Sequence, residues 1–124
     1  MPGKYDLITA FECLHDMAYP EIALRKMKEM LADERAVLIS EEAVGDNLEE
    51  NKNFLGHLMY NFSVLHCLPQ SMVFPDSAAI GTVFNPSKIK ELAFEAGFSK
   101  FEVLPVQNDF WRFYQLKQSI RKEN

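Results

Sequence analysis

The chain has 124 residues, 48% of them hydrophobic and 12% aromatic, which suits one globular domain and argues against disorder. Its 13 basic and 18 acidic residues give a net charge of −5 without a basic patch for a phosphate backbone, which excludes nucleic acid as a partner class. No apolar run approaches the roughly 20 residues of a membrane span, and the first residues lack signal-peptide or Arg-rich transit character, so a cytoplasmic protein with no membrane partner is expected.

Leu7, Ile8 and Ala10 form an apolar run too short for a helix, which predicts a parallel strand buried on both faces. Residues 11–16 then turn polar where such a strand would leave its sheet, and in open α/β sheets ligands sit outside the strands' carboxyl ends. Pro20 at a helix N1 position opens a predicted helix to about Leu31, with Ala23, Met27, Met30 and Leu31 on one face. Glu21 and Arg25 stand at i,i+4 spacing on it. Residues 32–35 return the chain to a second apolar run, Ala36-Val37-Leu38-Ile39, so the unit is β-α-β with a right-handed crossover and parallel strands.

Residues 43–84 far exceed an ordinary β-to-α connection and should have structure of their own. Leu48, Leu55, Leu58, Met59, Phe62 and Leu65 recur at three- and four-residue intervals, which predicts a lid helix over residues 47–66 that Cys67-Leu68-Pro69 ends. The rest, through Pro75 and Gly81, reads as loop. Asn85 as N-cap and Pro86 at N1 start another helix, Gly97 stops it, and Ile89, Leu92, Ala93 and Ala96 form its buried stripe.

Residues 101–106 and 110–116 read as two strands, and the short turn at 107–109 makes them antiparallel. The expected spatial order is first, second, fourth, third, with the fourth alone antiparallel. Residues 118–124 read as a charged tail. Cys13 and Cys67 have no metal-ligand spacing and are expected to be free thiols, so no metal site is expected. Cys13 near Glu12, His15 and Asp16 invites a metal or nucleophile reading, but a buried cysteine commonly acts as a small hydrophobe.

The run Tyr5-Asp-Leu-Ile-Thr-Ala-Phe-Glu-Cys-Leu-His-Asp16, the Pro-Glu-led helix with Ala23-Leu24-Arg25 and the strand ending Ser40-Glu41-Glu42 resemble a class I S-adenosylmethionine-dependent methyltransferase from its fourth strand onward. Residues 47–53, the run Tyr60-Asn-Phe-Ser-Val-Leu-His-Cys-Leu-Pro69 and Glu95-Ala-Gly-Phe98 extend the resemblance to small-molecule types with a helical insert after the fifth strand. The resemblance implies an α/β, partial Rossmann-like methyltransferase fold: a four-stranded mixed sheet with its last strand antiparallel, plus a helical lid, in one partial domain over residues 1–117. Relatives usually place glycine in the return turn where Glu34 and Arg35 stand here, so a modified turn is expected. They also hold the cofactor on a glycine-rich turn in a preceding half. The five glycines here are isolated, so S-adenosylmethionine is expected to bind only if an N-terminal half completes the chain.

By resemblance, Thr9, Ala10 and Phe11 pass beside the cofactor, largely through backbone, with Leu14 and His15 facing the site. His15 is then the candidate catalytic group, as base or substrate hydrogen-bonding partner, against the reading of a capping or loop histidine. Glu41 and Glu42 could act as an acid and base pair, but solvation or capping is the commoner reason for adjacent carboxylates at a strand exit. Tyr60, Ser63 and Cys67 share a helical face and are candidate substrate-binding residues, or simply pack the lid. His66, adjacent to Cys67 in sequence, is not expected to form a dyad with it.

Two functions compete. One is methyl transfer to a small-molecule acceptor in a complete enzyme, with the isolated chain inactive. The other is a non-catalytic interaction module. A response-regulator-like domain ranks behind both, since it explains neither the lid nor the antiparallel end. Only Pro2 and Lys4 protect the edge of the first strand, so a homodimer or a complex with a separate N-terminal half is expected through that edge.

Overall fold

β1 (Tyr5–Phe11) runs parallel to β2 (Leu31–Glu42), with Ile8 opposite Val37 and Ala10 opposite Ile39, in a computed structural model that describes residues 4–118. Between them α1 (Pro20–Met30) makes the crossover. β4 (Trp111–Lys117) lies antiparallel between β2 and β3 (Lys100–Val103), so the sheet order is β1-β2-β4-β3, as the crossover and the short last turn require. Pro2 and all of the charged tail beyond Gln118 lie outside the described residues.

Side chains of alternate parity on the strands meet different surroundings. On one face Val37, Ile39, Tyr114 and Leu116 are buried with Ala10 and join Leu24 of α1 and Ile89, Leu92 and Ala93 of α4 (Pro86–Glu95) in a single core. Each fully buried aliphatic side chain there contributes about 1.5–3 kcal/mol. On the other face Tyr5, Leu7 and Phe11 are each about half exposed, and Thr9 is exposed with them. The strand predicted to be buried on both faces is therefore buried on one.

The return turn is made without glycine. The β1–β2 register slips between the Tyr5–Leu31 and Leu7–Ala36 pairs, and Glu34 in that slack takes φ 60°, the left-handed region where an L-residue is strained. Strand pairing thus begins five residues earlier than the apolar run indicates. On α1 the buried positions are Pro20 and Leu24, with Ala23, Met27 and Met30 only partly covered, and the ion pair that forms is Lys26 with Glu29 at 2.7 Å.

The predicted single lid helix is broken into parts. Residues 47–53 are turns, held by Asn51, whose side chain bonds both the N–H and the C=O of Gly45 at 2.7 and 3.1 Å. Asn53 caps α2 (Phe54–Phe62) by accepting from Gly56 N–H at 2.8 Å. A π turn (Ser63–Cys67) follows, with Leu68 N–H reaching back to Ser63 C=O, and α3 (Leu68–Ser71) continues through Pro69. Proline lacks an N–H and its ring collides with the carbonyl four residues back; widening the helix to five-residue bonds accommodates both, so Pro69 reshapes the helix where it was expected to end it. The predicted apolar stripe is correspondingly incomplete: Met59 is buried, whereas Leu48, Phe62 and Leu65 are exposed. Residues 72–85 are loop, as expected.

Asn85 Oδ1 accepts from Lys88 N–H at 2.8 Å with Pro86 at N1, and Gly97 ends α4 at φ 95°. Ile89, Leu92, Ala93 and Ala96 are all buried, as their spacing predicts. β3 stops at Val103, although Leu104 N–H still bonds Phe113 C=O at 2.8 Å. Asn108 Oδ1 accepts from Phe110 and Trp111 N–H, closing the turn into β4.

Candidate functional site

Beyond the carboxyl end of β1, Glu12 takes φ 51° while its N–H bonds Ser40 C=O at 2.9 Å, which turns the chain across the end of β2. The 3-10 turn Leu14–Asp16 follows and sets His15 against the end of β2. His15 Nδ1 meets Glu41 Oε2 at 2.5 Å, and Glu41 Oε1 accepts from Leu14 N–H at 3.0 Å. Glu42 Oε2 lies 3.5 Å from the same imidazole nitrogen, and Asp16 Oδ1 lies 3.5 Å from the other, Nε2. His15, Glu41 and Glu42 are all buried, Glu41 completely.

Burial disfavours the charged imidazole, but the hydrogen bond and charge of Glu41, with Glu42 and Asp16 behind it, outweigh this and raise the His15 pKa to about 9. Burial raises Glu42 to about 8, against the opposing pull of His15 and with Glu12 adding to the rise. At neutral pH these shifts favour an imidazolium at His15, bonded to Glu41, beside a Glu42 carboxyl group that keeps its proton. Glu41 fixes the tautomer: with Nδ1 committed to it, Nε2 is the nitrogen left for another partner.

The lid closes on this turn. Cys67, at the end of the π turn, brings its sulfur close to His15 and Asp16, and its thiol is pushed up to about 11, first by burial and then by Asp16. The sulfur also lies 3.7 Å from His66 Nδ1, a weak contact between sequence neighbours; with the thiol protonated it is no thiolate–imidazolium dyad. The loop after the lid is tied to the site by Ala78 N–H on Ala18 C=O and by Tyr19 Oη–H on Pro75 C=O.

Of the residues expected at the site, His15 and Cys67 are brought together. Ser63 is buried, but its hydroxyl packs on Gly81, where an added Cβ would come within 2.2 Å of it, and Tyr60 is half-buried. Thr9 and Phe11 stand exposed on the bare sheet face, Ala10 faces the core, and Leu14 is wholly inside the core, serving the site through its N–H on Glu41. Cys13 packs against the core as a small hydrophobe, its thiol raised by burial and then by Glu41.

The solvated reading of Glu41 and Glu42 is overturned, since both are buried and both approach His15. A signal was present: the period-two pattern puts Glu41 on the same face as Val37 and Ile39, which is the core face. Asp16 and Glu12 carried no such signal, because turn geometry brings them in.

An exposed aromatic ring and a strand end are present at Phe11, but the glycines at 45, 56, 81 and 97 stand apart from β1 and offer no cradle. A family profile described as a methyltransferase domain matches residues 2–103. Human N-acetylserotonin methyltransferase in complex with SAM is similar in fold, with a TM-score of 0.65 and 18% identity over 97% of this chain and 31% of that one. An O-methyltransferase family protein from Burkholderia thailandensis gives 0.64 and 15% over 97% and 32%, and PigF with SAH gives 0.66 and 17% over 95% and 32%. The chain thus spans about a third of the length of these proteins. No curated protein matches it.

Proposed function

The chain belongs to the methyltransferase-domain family, and from that premise we propose that it carries the acceptor-side half of an S-adenosylmethionine-dependent methyltransferase acting on a small molecule. The single observation that carries this reading is the buried His15–Glu41 pair, His15 just beyond the carboxyl end of β1 and Glu41 the penultimate residue of the parallel β2. When bound, the cofactor supplies an electrophilic methyl group; the chain's own task is to take the acceptor's proton. A base whose conjugate acid has a pKa of about 9 is matched to a weakly acidic hydroxyl, such as a phenol or an enol, rather than to a carboxylic acid that is already ionised. In this reading the hydroxyl donates to Nε2 of the neutral His15 imidazole, the form that rising pH supplies, the proton stays on the ring, and Glu41 holds the resulting imidazolium in place.

Thr9, Ala10 and Phe11 flank the cofactor and Tyr60, Ser63 and Cys67 line the acceptor side of the lid, which must lift from His15 to admit a substrate. Because the described residues give no glycine cradle, this chain alone is expected to bind S-adenosylmethionine very weakly and to be inactive. The half that holds the cofactor would pair along the free edge of β1, in a continuous chain or as a separate subunit; a second copy could cover that edge but would bring no cradle. No helix among the described residues is long and apolar enough to cross a membrane.

The test is methyl transfer from labelled S-adenosylmethionine to a panel of phenols and enols, using the longest form of the protein that retains the cofactor. His15→Gln should lower kcat about 100-fold or more with cofactor affinity unchanged, and the wild-type rate should rise with pH towards 9. Wild-type turnover insensitive to His15→Gln would refute the assignment.

A further inference from the structure

We propose that His15 Nε2, Asp16 Oδ1 and Cys67 Sγ form a metal site suited to zinc. The three residues come from two segments, the 3-10 turn and the end of the lid's π turn, and one ligand atom from each lies within 4.8 Å of the other two. Asp16 Oδ1 is shielded from solvent, makes no hydrogen bond of ordinary geometry among the described residues, and faces the other two donors, His15 Nε2 at 3.5 Å and the Cys67 thiol. His15 is held in the arrangement that metal-bound histidines use: Nδ1 is anchored on the Glu41 carboxylate at 2.5 Å, and the opposite nitrogen is presented to the ligand. Glu41 is itself fixed by Leu14 N–H, so the imidazole plane is set before any ion arrives.

Tetrahedral zinc with bonds of about 2.0–2.3 Å places neighbouring ligand atoms about 3.3–3.6 Å apart. The Nε2–Oδ1 separation of 3.5 Å already meets that distance. The sulfur has at most about 1.5 Å to close, a shift within reach of a side-chain rotation. One nitrogen, one oxygen and one sulfur make a borderline-soft donor set, which favours zinc over magnesium or calcium, the ions of all-oxygen sites. Binding would release the thiol proton and the Nε2 proton of the resting imidazolium, and leave the fourth position for water.

Two consequences follow from the geometry. A metal on Nε2 occupies the lone pair that the proposed base needs, so metal loading and proton transfer exclude each other. The metal also bridges Cys67 of the lid to His15 and Asp16 of the turn, holding the lid shut. Only the first consequence rests on the proposed function; metal binding itself does not.

The experiment is a Co²⁺ titration of the tag-free chain under reducing conditions, followed by absorbance. One equivalent should give a near-ultraviolet thiolate-to-cobalt band with intense visible bands of tetrahedral cobalt, and Zn²⁺ should displace both. Cys67→Ser should abolish the near-ultraviolet band and weaken binding at least tenfold, His15→Gln should weaken it similarly, and Cys13→Ser should change neither. Circular dichroism of each metal-free variant checks that it is folded. Absence of saturable binding by the folded wild-type chain would overturn the proposal, as would a thiolate band that survives Cys67→Ser or one lost on His66→Gln but not on His15→Gln. No cofactor or turnover enters this readout, so it stands or falls apart from the assignment of His15 as base.

Discussion

The two faces of the sheet obey the same alternation and meet opposite fates. On the inner face Val37, Ile39, Tyr114 and Leu116 are sealed beneath α1 and α4, and period two carries Glu41 into the same buried layer. On the outer face Tyr5, Leu7 and Phe11 stand half exposed along a strand whose edge has no partner among the described residues. The inner face is self-sufficient and can afford buried charges at its end; the outer face is an apolar surface built for a cover. The carboxylates gathered at this buried end create the chemistry of the site, because they raise His15 against the opposing effect of burial.

The largest contrast should come from truncating equivalent leucines on the two faces. Leu24→Ala removes a fully buried side chain from the core and should cost about 2–5 kcal/mol, whereas Leu7→Ala should change stability by no more than about 0.5 kcal/mol. Urea unfolding of both variants checks it, and comparable losses would show that the outer face is covered within the chain. Sedimentation across concentration then asks what covers it: wild-type self-association that Leu7→Ala weakens supports a second copy as the cover, and a monomer at every concentration rules that out.

The next effect is one of pH. His15, raised from 6.5 to about 9, stabilises the fold fully below pH 6.5, and that contribution is lost as pH rises through 9. Glu42, raised from 4.5 to about 8, resists ionisation when folded, so stability also falls as pH rises from 4.5 towards 8. Thermal unfolding between pH 5 and 9.5 should therefore show a steadily falling midpoint. Glu42→Gln should flatten the segment below 6.5 and keep the fall above it. A midpoint that rises across this range would contradict the buried-pair account.

How much of this was legible in the sequence follows the same division between faces. Caps, crossover and strand order were readable because Pro20, Asn85, Pro86 and Gly97 act locally and chain lengths limit the topology. The lid was readable as helical but not in its parts, since Pro69 has two possible outcomes and only packing selects the π turn. His15 was found as a candidate and its partner was not. Adjacent glutamates look solvated until the core parity of Glu41 is followed two residues beyond Ile39. The approach of Cys67 to Asp16 depends on tertiary contact alone.

A smaller effect probes the support beneath the core face. Asn85→Ala removes the cap of α4 and should cost about 1 kcal/mol without altering the titration of His15. A larger cost, or a shifted histidine, would mean that the helix end and the site are coupled.

The central claim is that Glu41, against the opposing effect of burial, holds His15 as an imidazolium with Nδ1 anchored. Nitrogen-detected NMR of the three histidines across pH 5 to 10.5, with His15→Gln for assignment, tests it most directly. The account predicts that His15 titrates near 9, with its Nδ1 proton retained on the Glu41 side above that pH. A His15 titration near 6.5, or a neutral form protonated on Nε2, would contradict it.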